Sequence, residues 1–164
     1  MSSPTGRSLV RSLAPLALLS LLTAAPALAD TKSCVAAHAS AQRETKAGHL
    51  TEAAKLYTSC GSDLSCPEQL RSECAELLDK LRATVPSIIL SAKDENGADV
   101  TAVKVYSGET RISDGLDGRA LELDPGKYHL RFVLPSGLEL TSDVLVREGE
   151  KNRLVEVKAP EKAK

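Results

Sequence analysis

The chain has 164 residues, with 21 Lys and Arg against 22 Asp and Glu, for a formal charge of −1. A near-neutral chain with scattered charge has no electrostatic reason to track a nucleic-acid backbone. With three Tyr, one Phe and no Trp, it also has few aromatic faces on which bases or sugars could stack.

The N-terminus reads as a secretory leader. Arg7 and Arg11 supply a basic start to an apolar run over 12–29, which Pro15 and Pro26 interrupt. The run closes on Ala27-Leu28-Ala29, a small-x-small pattern for cleavage near Ala29. Its uninterrupted part is shorter than the ~20 residues a membrane helix needs, so no transmembrane span is expected after cleavage. The residues before Cys34 read Asp-Thr-Lys-Ser rather than the small apolar run of a lipoprotein signal. Export to the periplasm, the cell envelope or the medium is the expected outcome, and loss of Arg7 and Arg11 would leave the remainder more acidic.

Residues 30–84 have a helical pattern. One helix is expected over 33–47, stopping at Gly48. A second is expected over 50–60, stopping at Gly61 as a C-terminal cap. A third starts at Ser65-Cys66-Pro67-Glu68, where Ser65 and Glu68 form a capping box around Pro67. Its apolar positions, Leu70, Cys74, Leu77, Leu78 and Leu81, recur on one helical face, and Thr84-Val85-Pro86 ends it.

The four cysteines, Cys34, Cys60, Cys66 and Cys74, follow the spacing C-x25-C-x5-C-x7-C. No C-x-x-C occurs, and the spacing fits no zinc pattern. In an exported chain an even count implies two disulfides. On one helix Cys66 and Cys74 would stand about 12 Å apart at 1.5 Å per residue, beyond the ~7 Å that a disulfide spans. Two pairings survive: Cys34–Cys66 with Cys60–Cys74, and Cys34–Cys74 with Cys60–Cys66.

Ala41, Gly48, Leu50, Ala53 and Tyr57 fall at the offsets of a tetratricopeptide repeat, in which small residues let two helices approach and an aromatic fills the groove. Ala75 repeats the Ala41 position 34 residues later. The segment resembles one and a half such repeats, departing from the pattern at Glu44 and Cys60. The resemblance implies that position 60 faces the middle of the third helix. It therefore favours Cys60–Cys74, with Cys34–Cys66 closing the end of the bundle. About fifty residues bury too little apolar surface to be stable alone, so the disulfides are expected to stand in for missing repeats.

From Pro86 the period changes to two. Residues 127–134 alternate, with Tyr128, Leu130, Phe132 and Leu134 on one face and Lys127, His129 and Arg131 on the other. Further strands are expected over 87–94, 101–107, 109–113, 119–124, 138–146 and 152–158. Turn signals such as Asn96-Gly97, Asp117-Gly118 and Asp124-Pro125-Gly126 separate them. The expected fold is α+β: a three-helix segment over 30–84, then an antiparallel seven-stranded β-sandwich over 85–158. The 159–164 tail is expected to fray. The stretches over 103–109, 117–132 and 149–157 resemble a PEGA-type domain, related in shape to prealbumin-like and carboxypeptidase-regulatory-like sandwiches. The order of leader, stapled helices and sandwich resembles secreted proteins of Gram-negative bacteria.

No catalytic, cofactor-binding or metal-binding residue is expected. His38, His49 and His129 fall on a helix, a turn and an outward strand position, without ligand spacing. The acidic turns over 94–99 and 113–118 lack the spacing of an EF-hand, and no G-x-S-x-G elbow occurs. The leading expectation is a non-enzymatic, exported protein-interaction or scaffold module, working through a helical groove or a sheet edge. A module contacting peptidoglycan or surface polysaccharide is the alternative, allowed by the PEGA resemblance. A thiol oxidoreductase using Cys60 or Cys66 ranks third, having no activated nucleophile.

Overall fold

A computed structural model describes residues 27–161. The predicted leader falls on residues outside this range, apart from 27–29. Three helices come first: α1 (Ala27–Ala47), α2 (Leu50–Ser62) and α3 (Glu68–Thr84). Seven strands follow: β1 (Ser87–Lys93), β2 (Lys104–Ser107), β3 (Thr110–Ser113), β4 (Leu121–Glu122), β5 (Gly126–Val133), β6 (Glu139–Val146) and β7 (Arg153–Lys158).

The helices form one apolar cluster. Ala41 of α1, Leu50, Ala53 and Tyr57 of α2, and Cys74, Leu78 and Leu81 of α3 are buried in it, with Cys60 between them. The small side chains at 41 and 53 let the first two helices approach, and the predicted α3 stripe points inward. Cys34 is bonded to Cys66, tying α1 to the α2–α3 loop, and Cys60 is bonded to Cys74, tying α2 to α3.

Several helix ends differ from expectation. Gly61 is not a cap: α2 runs through it to Ser62. Gly48 does end α1 as expected, with left-handed backbone at φ +82°. The capping box does not form. Pro67 is itself the residue before the first turn of α3, and the Ser65 hydroxyl donates to Asp63 Oδ1 at 2.6 Å instead. Proline at that position displaces the helix start beyond the reach of Ser65.

The strands build two sheets, in the orders β4-β1-β7 and β3-β2-β5-β6. Ile88 and Leu90 from β1 and Val155 and Val157 from β7 share one buried cluster with Val105, Leu130, Phe132, Val144 and Val146 of the other sheet. The expectation of an all-antiparallel arrangement is corrected in one place. β1 and β7 pair in parallel over Ile88↔Arg153 to Lys93↔Lys158, so the three-stranded sheet is mixed. Alternation in sequence reports which face a side chain takes, not the direction of its strand. β1 and β7 can run parallel because all the intervening strands form the crossover between them. The uninterrupted Ile88-Ile89-Leu90 run suits the central position of β1. The pairing continues past β7 with a bond from Ala159 N to Lys93 O at 2.9 Å, and Ala159 is buried.

Candidate functional site

The helical and sheet halves cap each other. Thr51, in the first turn of α2, has an amide with no partner inside the helix; it donates to Asp124 Oδ1 at 2.8 Å. Asp124 stands in the Asp-Pro-Gly corner between β4 and β5. At the other junction Lys151 Nζ donates to Arg82 O and Val85 O, carbonyls at the end of α3. Gly149 N donates to Thr84 O at 2.7 Å. Each charge has the sign that its helix end favours, an anion at the amide end and a cation at the carbonyl end.

Between these contacts lies a cleft of about 1150 Å³. One wall is the polar face of α2, with Thr51, Lys55, Thr58 and Ser59; the other runs along β4 to Asp124 and Tyr128, with Ser87, Asn152 and Lys151 also lining it. Tyr128 donates its hydroxyl to Asp124 O at 2.8 Å. Burial, then the nearby Asp124 charge, push this phenol above its ordinary range, so it remains a donor. Asn152 adopts φ +54°, uncommon for a residue other than glycine. Its amide donates to Ser87 Oγ at 2.9 Å. Sequence reasoning saw Asp124 only as a turn residue and missed Lys151 and Asn152, because these contacts join residues far apart in the chain.

All four cysteines are in disulfides. The Cys34 and Cys66 sulfurs and an Asp63 carboxylate oxygen lie within 4.8 Å of one another. Hydrogen bonds from the Ser65 hydroxyl and amide hold the Asp63 carboxyl below its ordinary range, so it is charged at neutral pH. A fixed anion beside the bond repels an approaching thiolate, which slows attack on either sulfur. The chemistry of this corner is therefore that of a protected staple.

Each histidine stands beside a carboxylate. His38 Nε2 is 3.3 Å from Glu73, His49 Nδ1 is 2.7 Å from Glu44, and His129 Nδ1 is 2.7 Å from Asp143. The first links α1 to α3, the second spans the α1–α2 turn, and the third crosses from β5 to β6. In the 94–99 turn, Asp94 Oδ1 accepts from the amides of Asn96 and Ala98. These bonds lower the Asp94 pKa, the Ala98 amide contributing most. Asp99 pairs with Lys93 at 2.8 Å. In the 113–118 turn, Asp114 pairs with Arg111 and Asp117 with Arg119. These oxygens organise turns.

Among the described residues the longest edge strand is β6, which pairs with β5 on one side. Across the hairpin Leu134 N donates to Leu138 O at 2.9 Å, which sets the phase of the ladder. Even-numbered β6 residues exchange main-chain bonds with β5, while Glu139, Thr141, Asp143 and Leu145 turn theirs toward the open edge. Arg153 agrees with this phase, since its guanidinium reaches Leu145 O from that side at 2.6 Å. It covers one carbonyl and leaves the groups of Glu139, Thr141 and Asp143 clear. Over the β5–β6 ladder, Lys127, His129, Asp143 and Leu145 line a depression of about 400 Å³, and Leu145 is 42% exposed. No helix among the described residues is long and apolar enough to cross a membrane. Comparison with known protein families and with curated proteins finds no match to this chain.

Proposed function

We propose that this chain is an exported, non-enzymatic interaction module of the bacterial cell envelope, and that it holds partner proteins by adding a strand of the partner to β6. The observation that carries this reading is the eight-residue edge strand, whose main-chain groups at Glu139, Thr141 and Asp143 have no partner strand among the described residues. An edge of that length is a template for pairing with another chain and invites aggregation; strand addition uses the same groups for affinity. The protected Cys34–Cys66 staple supports a structural rather than a redox role for the cysteines.

In this reading residues 1–29 are a cleaved leader, 30–84 a tetratricopeptide-like stapled segment, and 85–158 a PEGA-like sandwich. The two disulfides suit an oxidising compartment. The burial of Ala41, Leu50, Ala53 and Tyr57 supports the repeat-like packing, and seven strands around one core support the sandwich.

The test is Thr141→Pro. Proline removes an edge amide that makes no bond to β5, a position where sheets tolerate it. Partners captured by the wild-type protein from an exported-fraction extract are expected to be lost with the variant, while its circular dichroism stays unchanged. Capture of the same partners by both proteins refutes strand addition at β6.

A further inference from the structure

We infer that the strand accepted by the β6 edge alternates basic and apolar residues, with its basic side chains opposite Glu139 and Asp143. This rests on the strand-addition reading and names the partner's chemistry. Side chains directly opposite on neighbouring strands interact, favourably for opposite charges and unfavourably for like ones. Along the outer face, β6 presents Glu139, Thr141, Asp143 and Leu145 to whatever lies beside it.

Both carboxylates have capacity left. Arg131 donates to Glu139 Oε1 at 2.8 Å and His129 lies beside Asp143, yet an ionised carboxylate offers about four acceptor sites. The side chains of Glu139 and Asp143 are 52% and 86% exposed. On its paired side β6 already receives such a strand: β5 places Lys127, His129 and Arg131 outward, and Leu130 and Phe132 in the core. An added strand meets the same two faces, acidic outside and apolar inside, where Val144 and Val146 are buried. A second copy of β6 fits less well, because its own acids would lie on the strand adjacent to Glu139 and Asp143.

The probe is the peptide Leu-Val-Lys-Val-Thr-Val-Lys, which in antiparallel register puts its lysines opposite Asp143 and Glu139. The control replaces both lysines by glutamate. Fluorescence anisotropy is expected to show the lysine peptide binding the wild-type protein about tenfold more tightly, since two attractive cross-strand pairs become repulsive in the control. The surface variant E139K/D143K is expected to invert that preference, E156K on the other sheet to leave it unchanged, and Thr141→Pro to abolish binding of both peptides. Equal affinity for the two peptides, still lost in Thr141→Pro, overturns the charge assignment and leaves strand addition standing. Binding that Thr141→Pro does not affect, or no binding of either peptide, overturns both. Self-association of the free protein that Thr141→Pro abolishes identifies a second copy as occupant and overturns the assignment.

Discussion

Two glycines that look alike in sequence have opposite duties. Gly48 adopts φ +82°, which L side chains rarely do, whereas Gly61 is ordinary helix whose added Cβ would meet its nearest neighbours, Ala75 N and Arg71 O, at 3.6 Å. That is normal van der Waals contact, so alanine at 61 gains helix propensity without a clash. Gly48→Ala is expected to lower stability by about 1 kcal/mol and Gly61→Ala to raise it by about 0.5 kcal/mol, both read from thermal melts. Asp63 has its own signature. Asp63→Asn removes the anion beside the Cys34–Cys66 sulfurs and is expected to speed reduction of that bond by dithiothreitol several-fold, with Cys60–Cys74 unchanged in non-reducing peptide maps. The Asp63, Asp94 and Asp117 carboxyls are all held below their ordinary value of 3.8 by hydrogen bonds. Groups depressed in the folded state stabilise it fully above that value and lose their effect as pH falls through their lower folded values. Urea midpoints are therefore expected to fall below about pH 4, and less steeply in D94N.

At the scale of elements, alternation and helical spacing were strong signals. Residues 127–134 revealed which side chains enter the core, and Leu70 to Leu81 revealed the buried face of α3. Helix ends were less legible, because Ser65 could serve either a capping box or an Asp63 turn, and Pro67 decided for the turn. Strand direction was not legible, since β1 and β7 are joined through the rest of the sheets. Of the two pairings that helical rise left for the cysteines, the structure carries the one in which Cys60 meets Cys74 across the α2–α3 contact. The edge at β6 was legible as a strand but not as an edge, for neighbours in a sheet are set by tertiary pairing. The mutual capping likewise joins residues too far apart for any local pattern. Lys151→Ala and Asp124→Ala each leave helix-terminal groups unmet and are expected to cost about 1 kcal/mol in denaturant midpoints.

For the whole molecule, the helical half depends on its staples. The bonds close segments with sequence separations of 32 and 14, for which chain entropy gives about 4 and about 3 kcal/mol. A cluster of this size cannot supply that much alone. Reduction is therefore expected to melt the helical ellipticity while the strand signal persists. The described residues thus form a stapled helical half fixed to a sheet half through charge-matched caps, with β6 as the longest edge strand.

The most direct measurement is residue-resolved amide hydrogen exchange by NMR on the oxidised protein, free and with the lysine peptide. An open β6 edge gives alternation along the strand: slow exchange at Leu140, Ser142 and Val144, fast exchange at Thr141 and Asp143, and protection of those two on binding. Slow exchange at Thr141 and Asp143 in the free protein, or no change with peptide bound, contradicts an open edge that takes up a strand.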